Sequence, residues 1–244
     1  MNLIEQCAIF IQNAKKILIL TGAGMSTESG IPDFRSNTGL YSGEFHGLSP
    51  ETILSLSFFN KNPKVFWNFI STHMNYSNAK PNIGHHIIAK WEKKKDITII
   101  TQNIEQLHTL AGSNNVIEVH GSLNTCTCQG CNKKYHLSDV ISKEDGYICS
   151  CGSLIKPDIV LYEESVDKMS MVYPVIEKSD LLIVLGTSLT VYPVALIPEF
   201  FRRKGNPMII INKTPTPYNK AANCIEIHDS IGKTLEKIDS FMGE

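Results

Sequence analysis

Residues 21–35 of the chain read TGAGMSTESGIPDFR. Gly22 and Gly24 take the first two positions of a G-x-G-x-x-G turn, where small residues let a backbone approach a phosphate. Thr27 holds the third position, so the fingerprint is incomplete. A phosphate-binding loop normally runs straight into its helix, but Pro32, Asp33, Phe34 and Arg35 follow within a dozen positions. A dehydrogenase would need a second strand ending in an acid about 20 residues on. The stretch from Gly39 to Gly47, rich in Gly and Ser, supplies none. Taken alone, the motif serves as well for a structural turn as for a cofactor site.

Other residues offer chemistry of different kinds. His120 ends the run VIEVHG, and an imidazole with an ordinary pKa of about 6.5 suits proton transfer near neutrality. A lone histidine at a strand end is also a common structural feature. Gln102 and Asn103, in TQNIEQLH, carry amides that both donate and accept hydrogen bonds. Gly186, Thr187 and Ser188 could contact a phosphate or simply cap a helix. Cys128-x-x-Cys131 is followed, after 17 residues, by Cys149-x-Cys151. Two thiolates on each of two knuckles make a tetrahedral zinc site, closed and therefore structural. The second pair is one residue short of C-x-x-C, so Cys126 stands as an alternative ligand. A nucleic-acid-binding ribbon is the rival reading, but only Lys133, Lys134 and Lys143 decorate the cluster. Cys7 and Cys224 read as buried hydrophobes.

These residues need a frame. Short apolar runs rich in Ile and Val recur at Ile17–Leu20, Ile97–Ile100, Val116–Val119, Ile159–Leu161, Leu181–Leu185, Met208–Ile211 and Ile225–Ile227. Near-continuous hydrophobicity over four or five residues suits strands of a parallel sheet covered on both faces. Helical stretches intervene, Pro81–Lys94 among them, and the chain opens on Ile4, Cys7, Ala8, Ile11 and Ala14 at helical spacing. The expected fold is α/β, a doubly wound parallel, Rossmann-like sheet. Residues 43–80, helical and without a strand, and 124–156, polar and cysteine-rich, break the alternation. They read as a smaller inserted domain of helices plus zinc ribbon, the large domain being 1–42, 81–123 and 157–244. TGAG, TQN, HG, GTS and IN each follow a strand, and open α/β sheets bind ligands beyond those carboxyl ends.

The bulk numbers exclude several classes. With 244 residues, 42% hydrophobic and 19% charged, the chain is an ordinary globular one. A formal net charge of −1 points to neither a nucleic-acid nor a membrane partner. No segment approaches the roughly 18 apolar residues of a membrane span, and the start does not read as a signal peptide. The expected compartment is the cytoplasm, where clustered cysteines suggest metal before disulfide.

TGAGMSTESGIPDFR, TQNIEQLH, His120–Gly121, the paired cysteines, PDIVLYEE, GTSLTVYPVA and INKTPTP occur here in one order. In that order, and over nearly its whole length, the chain resembles the sirtuins of bacterial type, NAD-dependent protein-lysine deacetylases and deacylases. The resemblance implies that NAD is consumed as a co-substrate by breaking its bond to nicotinamide. The acyl group passes to ADP-ribose, giving free lysine, nicotinamide and an O-acyl-ADP-ribose. It implies that Ala23 and Ser26 lie on the phosphates, that Gly22, Gly24 and Thr27 also belong to the cofactor site, and that Arg35 adds charge-assisted bonds. Phe34 would shield the reacting carbon and Asp33 order the loop. Gln102 and Asn103 would hold the ribose, Asn103 with a catalytic part, and His120 would be the general base. Ile104 and Glu105 would line the nicotinamide pocket, Glu105 standing where the family has aspartate. Gly186, Thr187 and Ser188 would form the second phosphate contact, with Asn212 and the backbone near Ile231 at the adenosine. Val160, Leu161 and Tyr162 would pair with an acyl-lysine peptide, and Cys128, Cys131, Cys149 and Cys151 would hold one structural zinc. Glu163 replaces the family's usual glycine, with a preference for basic flanks as one consequence. Ile70 and His73 stand where family members that remove dicarboxylate acyl groups carry tyrosine and arginine, so a neutral acyl group is expected. A mono-ADP-ribosyltransferase, or an NAD or ADP-ribose sensor without turnover, is the alternative.

Overall fold

The computed structural model describes residues 2–34, 39–40 and 43–243. Its strands are β1 (Lys16–Thr21), β2 (Asp96–Thr101), β3 (Val116–Glu118), β4 (Gly121–Cys128), β5 (Lys134–His136), β6 (Ile155–Ile159), β7 (Leu181–Leu185), β8 (Met208–Ile211) and β9 (Cys224–Ile227). The chain divides into two compact units, one of residues 1–31, 79–119 and 167–244, the other of 32–78 and 120–166.

The larger unit is a six-stranded sheet in the order β3-β2-β1-β7-β8-β9, and every pairing in it is parallel. The strands read as apolar runs because both faces are covered. Ile17, Ile19, Ile97, Ile99, Leu181, Ile183, Ile209 and Ile211 share a core with Cys7, Ala8, Ile11, Ile87, Trp91, Leu235 and Ile238 from three helices. Those helices are Leu3–Asn13, Ile83–Glu92 and Ile231–Met242. Each fully buried Ile or Leu stabilises the fold by about 1.5–3 kcal/mol relative to exposure. Asn2 and Glu5 form a capping box at the first helix. Connections run outward from the centre in opposite senses, so the topological switch lies between β1 and β7, where such sheets bind ligands.

The smaller unit pairs β4 antiparallel with β5 and β6. Its helical part includes Leu56–Lys61 and Pro63–His73, which bury Phe59, Phe66, Trp67, Phe69 and Ile70. The Trp67 indole donates to the Ile155 carbonyl at 3.2 Å, tying that helix to β6. This corrects the expected parallel strand at Ile159–Leu161. The strand is β6, it ends at Ile159, and it belongs to the antiparallel sheet. The apolar run Ile159–Leu161 begins only at the last residue of β6, whose own sequence, IKPDI, carries Lys156, Pro157 and Asp158 and shows no such run.

Candidate active site

In the larger unit, the loops after β1, β2 and β7 interlock at the switch point. The Gly22 N–H donates to the Leu185 carbonyl at 3.0 Å and the Gly24 N–H to that of Gly186 at 2.9 Å. A Cβ on Gly24 would lie 2.7 Å from Gly186 Cα, and one on Gly22 2.7 Å from Thr187 Cβ. The two glycines therefore let two loop backbones touch, whatever room they also leave a phosphate. Residues Ala23–Ser29 form a tight 3-10 helix, ended by Gly30 at φ 81°, and Thr27 Oγ1 donates back to the Gly24 carbonyl at 3.0 Å.

Around this turn the expected site residues form one network. Asn103 Nδ2 donates to the Gly22 carbonyl and to Ser26 Oγ, both at 3.0 Å. Gln102 Nε2 donates to Thr187 Oγ1 at 3.1 Å. The Ser26 hydroxyl donates to Glu105 Oε1, and Glu105 Oε2 accepts the Ile104 N–H at 3.0 Å. Burial pushes the Glu105 carboxyl above the usual range, against the lowering effect of the Ser26 bond. Ser26 is 1% exposed and Asn103 7%, so the carboxamide and hydroxyl orientations are set before any ligand arrives. Asn212, whose Nδ2 donates to the Thr214 carbonyl at 2.8 Å, follows β8. Ile231 opens the last helix, where Glu28 Oε1 accepts from the Gly232 N–H at 3.0 Å. Ser188 is exposed, its hydroxyl 2.9 Å from that of Thr190.

In the smaller unit, His120 precedes Gly121, whose φ is 79°. A Cβ there would fall 2.0 Å from the Asp158 carbonyl, so only glycine closes this turn. The His120 carbonyl accepts the Val160 N–H at 2.9 Å. The N–H groups of Leu161 and Tyr162 go to the Glu164 carboxylate at 2.8 Å and the Leu54 carbonyl at 3.0 Å. All three donors of the expected peptide strand are thus taken, and carbonyls, with two lone pairs each, are what it offers a peptide. Glu164 is clamped by Lys156 at 2.9 Å. Glu163 sits at φ 77°, a conformation that favours glycine, and its carboxylate accepts the Ser57 N–H and hydroxyl, both at 2.8 Å. It turns away from the role of a free charge for basic flanks. Ile70 is fully buried, and His73 stacks on Phe69 with centroids 5.1 Å apart. Asp33 accepts the Leu40 N–H on its carbonyl at 2.7 Å; Phe34 is half-buried, and Arg35 lies outside the described residues.

The Sγ atoms of Cys128, Cys131, Cys149 and Cys151 all lie within 4.8 Å of one another. Cys128 and Cys151 are 3.4 Å apart and Cys131 and Cys149 3.6 Å. A tetrahedron of zinc–sulfur bonds of about 2.3 Å needs sulfurs roughly 3.8 Å apart, so the four cysteines fit one metal ion. Cys126, fully buried in β4, is outside that group, which closes the alternative left by the short second pair.

Four residues to which the sequence reading gave no role lie under the Gln102–Glu105 segment: His85, and Thr21, Thr101 and His108, which stand inside TGAG and TQNIEQLH. Their other sequence signals are polar residues ending two apolar strands and histidines on apolar helical faces.

Residues 22–193 match the Sir2 family. The chain is 46% identical over 239 residues to an NAD-dependent protein deacetylase of Clostridium tetani, covering 96% of each chain. It is 43% identical over 238 residues to one of Cutibacterium acnes, again covering 96% of each. A solved Sir2 structure with a deacetylated p53 peptide and 3′-O-acetyl ADP ribose superposes with a TM-score of 0.89 at 33% identity, over 97% of both chains. Another, of Sir2 with a p53 peptide and NAD+, gives 0.86 at 34% identity over 98% of both. With that match spanning both units and the loops that meet at the sheet's switch point, the chain belongs to the Sir2 family.

Proposed function

We propose that the chain is an NAD-dependent protein-lysine deacylase, foremost a deacetylase, that transfers the acyl group of a protein or peptide lysine to ADP-ribose and releases nicotinamide. The observation that carries this is the hydrogen-bonded cluster of Gly22, Ser26, Gln102, Asn103, Glu105 and Thr187 at the switch point of a Sir2-family sheet. Neutral amides and hydroxyls held in place by one another in this way suit the ribose hydroxyls and carboxamide of a dinucleotide. NAD, when bound, supplies a ribose carbon carrying a good leaving group.

The chain's own residues would then divide the work. Asn103, locked through Nδ2, presents its carboxamide oxygen as a fixed acceptor for the ribose. Gln102, Thr187, Ser188 and Asn212 orient the nucleotide, and Ile104 and Glu105 close over the nicotinamide end. His120 is the base that takes a proton from a ribose hydroxyl at a ring nitrogen, a contribution of about 100- to 10,000-fold. Val160, Leu161 and Tyr162 align the peptide through main-chain carbonyls. The four cysteines hold one structural zinc, and thiolates kept for metal suit a reducing cytoplasm. Among the described residues no helix is long and apolar enough to cross a membrane.

The test is mass spectrometry of an acetyl-lysine peptide incubated with the protein, with and without NAD, beside His120→Ala. NAD-dependent loss of the acetyl group, O-acetyl-ADP-ribose in the products and a silent variant are expected. Intact NAD in the wild-type reaction would refute the proposal.

A further inference from the structure

Two histidines are buried in the larger unit, each with one ring nitrogen engaged and the other, His85 Nε2 and His108 Nδ1, without a hydrogen-bond partner among the described residues. His85 is 0% and His108 3% exposed, with ring centroids 4.7 Å apart. His85 Nδ1 accepts the Asn82 N–H at 3.3 Å, which puts the His85 proton on Nε2. His108 Nε2 is 3.2 Å from Thr21 Oγ1. The Thr21 hydroxyl spends its proton on Thr101 Oγ1 at 2.8 Å, so toward His108 it can only accept, and His108 donates from Nε2. Thr101 Oγ1 in turn accepts the backbone N–H of Asn103 at 3.1 Å. The bonds form one directed chain from imidazole to hydroxyl to hydroxyl, where it meets the Asn103 amide. His85, His108, Thr101, Asn103, Glu105 and Glu118 also line one cavity of about 10 Å³.

We propose that His108 is a positioning residue for nicotinamide cleavage, fixing the Asn103 backbone through Thr21 and Thr101. The inference rests on the deacylase reading for its consequence, not for its geometry. Asn103 has its side chain pinned to Gly22 and Ser26; the chain from His108 pins its main chain, so both ends of the residue are held. An imidazole suits this place because it can donate from one nitrogen while staying neutral in a site that would penalise a lysine or arginine. Burial holds both rings neutral, His85 at about 4 and His108 well below its ordinary value.

Misplacing a group in such a site by about 1 Å can cost on the order of 100-fold in rate. His108→Leu, which removes the donor, should lower kcat for NAD cleavage by about 10- to 100-fold with the peptide KM within about threefold. His108→Gln, whose amide nitrogen reaches the place of Nε2, should recover kcat to within about threefold of wild type. Thr21→Val breaks the chain at its second link and should repeat the Leu effect. In the double variant the losses should not multiply, since both substitutions cut one chain. Imidazole 15N NMR of the ligand-free protein should show His108 as the Nε2–H tautomer. The Asn103 amide proton should shift in His108→Leu and Thr21→Val and return in His108→Gln. Wild-type kcat in Thr21→Val, equal losses in Leu and Gln, multiplying losses or an Nδ1–H tautomer would each overturn the proposal. A wild-type protein that cleaves no NAD would sink the functional reading instead, leaving tautomer and amide shift to decide the relay.

Discussion

Lowering the pH from 7.5 to 4.5 should destabilise the larger unit through His85. The ring is fully buried in the helix Ile83–Glu92, and burial, with a smaller push from His86, lowers its pKa from 6.5 to about 4. Between those values the unfolded chain binds a proton that the folded chain refuses. Stability from this group is therefore complete above about 6.5 and lost as the pH falls toward 4. At pH 4.5 protonation favours the unfolded state by roughly 100-fold and the folded state by about 1.3-fold, a ratio worth about 2.5 kcal/mol. The groups facing His85 act in both senses. His108, also depressed by burial, adds to the loss. Glu105 and Glu118, whose carboxyls burial pushes up, are more protonated in the fold and regain stability on acidification. A difference measurement separates them: wild type against His85→Asn, whose side-chain oxygen can still accept the Asn82 N–H. Urea unfolding followed by Trp91, in a Trp67→Phe background for both proteins, gives the gap at each pH. That gap should shrink by about 2 kcal/mol on going to pH 4.5. A gap unchanged with pH would refute the reasoning that His85 is held neutral by burial.

Removing the metal should dismantle the smaller unit, because structural tetrathiolate zinc contributes about 10–16 kcal/mol of apparent binding. Metal analysis should find one zinc per chain, and Cys149→Ser should lose it together with hydrogen-exchange protection in β4 and β6; protection that survived would count against a structural site. At Glu163, Ala keeps the φ of 77° but loses both bonds to Ser57, a cost of about 2 kcal/mol. Gly loses the same bonds but relieves about 1 kcal/mol of left-handed strain, so urea unfolding should rank Gly above Ala; equal losses would remove the strain argument. In Glu105→Asp the carboxylate, one methylene shorter, should not reach both the Ser26 hydroxyl and the Ile104 N–H. The KM for NAD or the nicotinamide inhibition constant should then change by at least about threefold, and kinetics identical to wild type would show that the extra methylene is inert.

The parallel sheet and its ligand-bearing end were legible because Gly22, Gln102, Gly186 and Asn212 each follow directly on an apolar strand. The metal cluster was legible from cysteine spacing despite the short second pair. What periodicity could not find was β6 itself, because Lys156, Pro157 and Asp158 interrupt its apolar pattern and the strand ends where the run at Ile159 begins. Nor could it find the His85–His108 pair, whose members look like ordinary helix residues and meet only through the tertiary fold. The glycine fingerprint was read for phosphate approach, yet Gly22 and Gly24 are also required by contact with the loop after β7.

The two acidic departures from the sirtuin pattern yield to one physical account. Glu105 and Glu163 each stand where the family has a shorter residue, and each looked from sequence like an added reach of charge. Both carboxylates instead fold back onto neighbouring donors. Glu105 takes the Ile104 N–H and the Ser26 hydroxyl; Glu163 takes the N–H and hydroxyl of Ser57. A longer acid that satisfies a backbone N–H and a serine spends its acceptors on loop geometry before it can spend them on a ligand. Their effect on catalysis should therefore pass through the placement of Ser26, Ile104 and Ser57. Neutralising either charge with Gln should then cost more in loop order than high salt costs in substrate affinity, because salt screens exposed charge far more than these internal bonds.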